Sequence, residues 1–413
     1  MNKNLSPLCY VVSAVACLAI ALYSFAHFGY HDRLFIVPIF ALALLWAGAN
    51  LWRQFRGNSE YRIERLSNPG KLLRRALIRY VVWGVIFLTG VEFLSTHSYY
   101  ATNEKTLYFL RSFMQWYFIL GLPYFMLTLT FKASHTADFF DPAIRLFLMG
   151  KYLFRGLLVP QARPRARRVF TRRYHRKVLL NLVMRVYFIP VMVIQVYNGF
   201  QLSVHGLSQG LPGGDLLTLL FWLTGVLWLV DSLAAATSYS IESRWTENHS
   251  RSIDLTTAGW TVCFACYPPL NEVTSTLFLF SPNVVGNSVQ DLVFAHSTFF
   301  MALKVLEFTL LVALVYTDLS LGPSVANITF KRLQSRGPYA LVRHPATTCK
   351  LTLWWMQSIF FIQFWSWDVI IGQVMWNVIY ILRALTEERH LRQYAEYRQY
   401  MQKVPYRFIP GLI

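Results

Sequence analysis

Long apolar runs alternate with short polar loops along almost the whole chain. A helix needs roughly 20 apolar residues to cross the hydrocarbon core of a bilayer, and several of the runs reach that length. The pattern therefore predicts spanning helices over 9–27, 34–52, 76–95, 107–131, 178–199, 215–239 and 293–316.

Three shorter apolar runs lie in the C-terminal half. The run 257–271 contains the pair Pro268-Pro269, and prolines interrupt a helix because they lack the backbone N–H. The runs 351–365 and 367–385 meet at a polar turn and predict a helical hairpin. Together the runs predict an all-α fold: a polytopic integral membrane bundle of about ten transmembrane helices, with this C-terminal hairpin and a cytoplasmic C-terminal helix.

Basic residues are concentrated in alternate loops. Loop 53–75 holds seven Lys and Arg against two Glu, and loop 132–177 is more basic still. Loops 28–33 and 96–106 contain very few basic residues. Because Lys and Arg collect on the cytoplasmic side of a membrane, the pattern predicts that both termini are cytoplasmic. We expect a bacterial inner membrane protein.

The basic loop 132–177 contains a segment of a different kind. Residues 139–158 alternate apolar and basic positions with helical spacing, which predicts an interfacial helix lying on the inner leaflet. An arginine-rich run follows from Arg163 onward, and such runs attract anionic lipid headgroups. Anionic lipids are therefore expected partners of this loop.

Composition agrees with a membrane protein. Hydrophobic residues make up 55% of the 413-residue chain and charged residues only 14%, well below the quarter that is usual in soluble domains. The net charge of +19 resides in loops between apolar runs, which favours lipid headgroups over nucleic acid. The C-x-x-C pair Cys263 and Cys266 has no second pair or His cluster beside it, so no metal site is predicted.

Several charged residues fall inside predicted spans. Such residues are functional candidates, because burying a charge in the bilayer is costly. Lys304 and Glu307 lie one helical turn apart and are placed to pair with each other. The others are Glu92, Arg185 and Asp231.

Unusual polar residues flank the predicted hairpin. Arg343-His344-Pro345 precedes its first helix, and Arg383 with Glu387-Glu388 ends its second helix. The two ends of a helical hairpin lie close in space, so these groups are predicted to face each other at the membrane surface. Carboxylates, backbone groups and aromatic side chains there suit a polar cofactor that has an amino-acid head and a ribose.

These motifs resemble the isoprenylcysteine carboxyl methyltransferase family, with phospholipid methyltransferases as more distant relatives. The shared pattern is G-x-Y-x-x-x-R-H-P, a hairpin, R-x-x-x-E-E-x-x-L and a Tyr-rich helix, and it covers about 293–413. It divides the chain into an N-terminal transmembrane region, 1–290, and a methyltransferase-like membrane domain, 291–413. The matching residues are Gly337, Tyr339, Arg343, His344, Pro345, Arg383, Glu387, Glu388 and Leu391.

The resemblance implies a methyltransferase that binds S-adenosylmethionine from the cytoplasm and takes a lipophilic acceptor, with a carboxylate most expected, from the bilayer. It places Arg383 at the acceptor's polar head. An amine or thiol acceptor would need a base, and His344 and Glu388 are the candidates. The implied cofactor contacts are Lys331, Arg332, Leu333, Gln334, Tyr339, His344, Pro345, Ala346, Thr347 and Glu387.

Two positions depart from the family pattern. Thr347 stands where the family usually has Tyr, and Cys349 where it usually has Gly, so one wall of the cofactor pocket is expected to differ. Two other functions fit the sequence. A sterol-reductase-like NADPH enzyme has a similar hairpin and R-H-P segment, although Glu387-Glu388 is closer to the methyltransferase pattern. A transporter or non-catalytic membrane scaffold would use the intramembrane charges as a proton path.

Overall fold

The computed structural model describes residues 6–28, 36–55, 63–65, 68–101, 104–133, 142–208, 215–243, 245–278 and 288–412. Helices dominate this part of the chain. They are α1 (Pro7–Phe28), α2 (Ile36–Phe55), α3 (Pro69–Thr96), α4 (Ser98–Ala101), α5 (Glu104–Thr130), α6 (Pro142–Leu158), α7 (Arg163–Thr171), α8 (Arg173–Ser208), α9 (Leu216–Ser240), α10 (Thr257–Phe264), α11 (Leu270–Leu277), α12 (Ser297–Ser320), α13 (Pro345–Ile359), α14 (Trp367–Leu391) and α15 (Ala395–Lys403).

Two short antiparallel strand pairs join loops within the described residues. Strand β1 (Ile63–Arg65) pairs with β2 (Phe131–Ala133), and β3 (Ser252–Ile253) pairs with β4 (Thr329–Phe330). The second pair ties the segment after α9 to the segment before the R-H-P motif. With so little strand, the predicted all-α fold is confirmed.

Five helices of the described chain are long and apolar enough to cross a membrane: α3, α8, α9, α12 and α14. Shorter apolar stretches, Pro7–Tyr23 and Val37–Arg53, lie in α1 and α2. These helices indicate an integral membrane protein, as the hydropathy pattern predicted.

The predicted span 257–271 is not one helix, and this prediction was wrong. Helices α10 and α11 contain 8 residues each, so at 1.5 Å per residue each is about 12 Å long, against a bilayer core of about 30 Å. The break falls at Pro268 and Pro269, which cannot donate the backbone hydrogen bonds of a continuing helix. Helix α10 packs on α14, and the rings of Phe278 and Trp376 lie 5.9 Å apart beyond α11.

Helix α8 lies at the centre of the bundle. In the most apolar stretch of α8, 61% is buried, compared with 17–33% in the corresponding stretches of the other four spanning helices. Its side chains Phe188 and Phe200 are almost fully buried, with Leu233 of α9 beside them. The largest core cluster extends from Tyr10 of α1 to Leu353 of α13. The two predicted regions, 1–290 and 291–413, therefore share one core.

The predicted helical hairpin is present as α13 and α14, joined through a short turn around Ile362–Phe364. Helix α13 begins at Pro345, and proline is favoured at the first helical position because its missing N–H has no partner there anyway. Helix α14 carries Asp368 in its first turn and Arg389 in its last, the signs that complement a helix dipole.

The predicted interfacial helix corresponds to α6, with residues 139–141 outside the described part of the chain. One face of α6 is buried through Met149, which packs with Val178 of α8. The opposite face leaves Phe154 and Leu157 exposed by 63% and 79%. An apolar face that the bundle does not cover agrees with a helix lying at a membrane surface.

Candidate functional site

A cavity of about 490 Å³ lies among α8, α9, α12, α13 and α14. Its walls also include the segment between α12 and α13, which carries the Gly-x-Tyr and Arg-His-Pro motifs. The volume is that of a small-molecule site, and both polar and apolar side chains line it. The cavity is therefore the candidate site for a polar cofactor and its reaction partner.

The structure brings six of the sequence-predicted site residues together at this cavity. Tyr339 and His344 approach from the motif segment, while Arg383 and Glu387 approach from α14, one helical turn apart. The hairpin places the two ends side by side, as predicted from the sequence. The six are Tyr339, His344, Ala346, Thr347, Arg383 and Glu387.

Arg383 is held by neutral groups. Its Nη2 donates to the Tyr267 hydroxyl at 3.1 Å and to the Asn327 amide oxygen. Its guanidinium carbon lies 5.2 Å from the Tyr267 ring centroid and 5.8 Å from that of Tyr380. In the described part of the chain no carboxylate forms a salt bridge with it. Arg383 thus reaches the cavity wall with neutral hydrogen-bond partners only, and Asp318, which also lines the cavity, interacts with its charge without forming a salt bridge.

Glu388 sits in a different environment from Glu387. Its side chain is 1% exposed and accepts from Arg343 Nε at 2.6 Å, Arg392 Nη2 at 3.1 Å and Arg407 Nε at 3.1 Å. His344 Nε2 lies 3.3 Å from the same carboxylate. Glu388 does not line the cavity. With its oxygens occupied by three arginines, it is not placed to act as the base that the sequence suggested.

The C-terminal tail fixes the Arg-His-Pro segment. The backbone N–H groups of Arg343 and His344 donate to the carbonyls of Tyr406 and Arg407 at 3.0 and 2.9 Å. Thr348 in the first turns of α13 donates to the carbonyl of Phe408 at 3.0 Å. These bonds satisfy groups at the start of α13 and hold His344 at the mouth of the cavity.

The stretch 331–334, implied as cofactor contacts, does not reach the cavity. Lys331 donates to the Ser238 carbonyl at 2.7 Å, and burial lowers its pKa well below the usual value. Arg332 binds Glu247 at 3.0 Å, Gln334 binds the Ser320 carbonyl at 2.6 Å, and Leu333 packs in an aromatic cluster. These side chains hold the segment in place and are not brought to the cavity, so the cofactor contacts that the resemblance implies for them stay a prediction. Pro345 is buried and does not line the cavity either.

The charged residues that fall inside predicted spans differ in their surroundings. Lys304 Nζ lies 2.9 Å from Glu307 Oε2, which confirms the predicted pair. Arg185 pairs with Glu242 and borders a second, aromatic-lined cavity of about 150 Å³. Glu92 is exposed on α3, and Asp231 lines the large cavity.

Several residues of the cavity wall were not found from the sequence. Asn327 accepts from Arg383 and donates to the Tyr267 hydroxyl at 3.1 Å, and its N–H donates to the Tyr239 hydroxyl at 2.6 Å. Asp318 and Lys350 also line the cavity. Only these last two carried a signal, as charged residues at the ends of apolar segments.

The described residues contain no group of three His, Cys, Asp or Glu side chains that could hold a metal ion. Thr347, which replaces the expected Tyr, lines the cavity, whereas Cys349 does not. Compared with known proteins, the chain matches no family model, no curated protein and no solved structure.

Proposed function

We propose that the protein is a membrane methyltransferase that uses S-adenosylmethionine and acts on a lipophilic acceptor, with a carboxylate most expected, at the cytoplasmic face of the membrane. One observation carries this proposal. Residues from both halves of the R-H-P and R-x-x-x-E-E pattern line the same 490 Å³ cavity, although more than 30 residues of helical hairpin separate them in the sequence.

The cavity offers groups that suit the nucleoside part of this cofactor. Glu387 lines it with an exposed carboxylate, which can accept from ribose hydroxyls. Tyr339 also lines the cavity, and its phenol, protonated at neutral pH as tyrosines ordinarily are, can donate a hydrogen bond. The His344 ring stands at the same wall. When bound, the cofactor supplies a methyl group that an acceptor lone pair takes from the sulfonium.

Arg383 is suited to the acceptor. Its hydrogen-bond partners are neutral, and a guanidinium binds a carboxylate through two parallel hydrogen bonds. A carboxylate is already ionised at neutral pH, so its methylation requires positioning and exclusion of water but no base. Glu388 is paired with three arginines and is not free to act as a base, which agrees with a reaction that needs none.

The membrane arrangement is also part of the proposal. About ten crossings, with α10 and α11 together forming one broken crossing and both termini cytoplasmic, put the basic loops beside anionic lipid headgroups, in keeping with a bacterial inner membrane. Single cysteines in a background lacking the native five test it, with Gln161→Cys for the basic segment and Ala295→Cys for the opposite side; both side chains are exposed. Only Ala295→Cys should react with an impermeant maleimide in intact cells. Reaction of Gln161→Cys there would overturn the topology.

The function is tested with purified full-length protein, S-adenosylmethionine labelled in its methyl group and a bacterial lipid extract. We expect label in the organic phase, released as methanol by mild alkali, because methyl esters hydrolyse under conditions that leave methylamines and thioethers intact. Alkali-stable label would overturn the carboxylate assignment alone. Binding of NADPH but not of S-adenosylmethionine would favour the reductase, and binding of neither would favour a transporter or scaffold.

A further inference from the structure

Three charged side chains in the cavity take no part in the roles assigned above. Asp231 of α9, Asp318 of α12 and Lys350 of α13 all line it. Lys350 interacts electrostatically with both carboxyl groups, and Arg383, on the same cavity wall, interacts with Asp318. These three residues, here called the DDK cluster, form no salt bridge with one another or with other side chains of the described chain.

Two other charged groups in the spanning helices of the described chain have partners of opposite charge. Lys304 contacts Glu307 at 2.9 Å, and Arg185 contacts Glu242. Charged groups at membrane depth are costly unless they are paired or bind a ligand. The DDK cluster faces a cavity that can admit a ligand, so its side chains, which form no salt bridge in the described chain, have room for a partner.

The composition of the cluster defines the chemistry of that partner. Two neighbouring carboxyl groups favour an ammonium, and one lysine favours a carboxylate. A group that carries both at short separation is the zwitterionic end of an α-amino acid. The Lys350 Nζ also lies 5.7 Å from the ring centroid of Tyr380, the ring that Arg383 approaches from 5.8 Å. The cluster is therefore next to the group assigned to the acceptor.

We propose that the DDK cluster binds the amino-acid end of S-adenosylmethionine, with Asp231 and Asp318 on the ammonium and Lys350 on the carboxylate. This inference rests on the proposed function. All three residues lie outside the Arg-His-Pro and Arg-x-x-x-Glu-Glu motifs, and Asp231 lies in the N-terminal region. The N-terminal region thus supplies part of the cofactor site.

Two nucleosides with an uncharged thioether sulfur test the contact between the DDK cluster and the amino-acid end. S-adenosylhomocysteine carries the amino-acid end, whereas 5′-methylthioadenosine lacks it. Calorimetry on the purified full-length protein should show that wild type binds S-adenosylhomocysteine more tightly. Asp231→Asn and Lys350→Gln should each weaken that binding about tenfold or more, since each removes a charge-assisted hydrogen bond, and should leave 5′-methylthioadenosine within twofold. Glu307→Gln, an acidic residue of α12 outside this cavity, serves as the matched control and should change neither.

The outcomes separate the two proposals. Equal weakening of both nucleosides, or unchanged binding of S-adenosylhomocysteine by both variants, would overturn the role of the DDK cluster while leaving the cofactor in place. A wild-type protein that binds neither nucleoside would overturn the proposed function and this inference with it. Thermal unfolding of each variant shows whether it is folded. Asp231→Glu, which keeps the charge, should still bind S-adenosylhomocysteine more tightly than 5′-methylthioadenosine.

Discussion

At the residue scale, the two adjacent glutamates of the motif have different tasks. Glu387 lines the cavity, while Glu388 does not and pairs instead with three arginines. Adjacent helical residues point about 100° apart, so a Glu-Glu pair naturally serves two surfaces. Glu388 fixes the arginine-rich segments around the site, and Glu387 is available to a ligand.

Glu388→Gln tests that division. Removing one partner of a buried ion pair typically costs about 3–5 kcal/mol, because the remaining charges stay buried. We expect a large fall in the thermal unfolding midpoint in detergent, whereas Glu396→Gln, which breaks the more exposed pair with Arg251, should cost about 1 kcal/mol or less. An unchanged midpoint together with lost turnover would instead make Glu388 a catalytic group.

Arg383→Ala addresses the acceptor. Its hydrogen-bond partners are neutral and it forms no salt bridge in the described chain, so under the proposed function its charge is available to a ligand. We expect turnover to fall at least about a hundredfold, as for loss of a strong charge-assisted contact, while affinity for S-adenosylhomocysteine stays within about threefold. Arg389→Ala, on the same helix but half exposed, is the control. A parallel loss of cofactor affinity and thermal stability would contradict the acceptor role.

Lys331 predicts a pH dependence of stability. Its folded pKa is lowered by burial, while the unfolded chain titrates near 10.4. Between the two values the unfolded state binds more protons, so the free energy of unfolding rises with pH, by up to about 1.4 kcal/mol per unit. Unfolding of wild type and Lys331→Met at pH 7.5 and 9.5 should show this rise in wild type alone. An equal rise in the free energy of unfolding in both proteins would show that groups other than Lys331 cause it.

At the scale of elements, the sequence predicted what depends on local signals. Pro345 marks the start of α13, and the polar turn at Ser366 marks the start of α14. The hairpin and its neighbouring motif residues could therefore be predicted. Hydropathy alone does not predict the break between α10 and α11: the segment is apolar, yet Pro268 and Pro269 divide it.

The tail after α15 is an element whose role was not predicted. Its carbonyls receive the N–H groups of Arg343 and His344 and the hydroxyl of Thr348. Truncation after Lys403 should therefore lower both the unfolding midpoint and the affinity for S-adenosylhomocysteine, because the Arg-His-Pro segment loses its acceptors and Glu388 loses Arg407. Truncation after Phe408 keeps these contacts and should behave like wild type. A protein truncated after Lys403 with the unfolding midpoint and affinity of wild type would show that the tail is dispensable.

At the scale of the whole molecule, the cavity belongs to the complete bundle. The family-like pattern begins only near residue 293, yet α8 and α9 form one side of the cavity and carry Asp231 and Tyr239. A sequence read segment by segment cannot show which helices pack around a motif, because that choice depends on contacts distant in the chain. The same reason explains why Asn327 and Tyr267 were not predicted beside Arg383.

The central claim is that this cavity binds S-adenosylmethionine through Glu387. Calorimetric titration of wild type and Glu387→Gln with the cofactor tests it most directly, with Glu272→Gln, an exposed glutamate on α11, as control. A charge-assisted hydrogen bond contributes about 1.5–3 kcal/mol, so Glu387→Gln should bind about tenfold or more weakly while the control matches wild type. Wild-type protein that does not bind the cofactor, or a folded Glu387→Gln with unchanged affinity, would contradict the account.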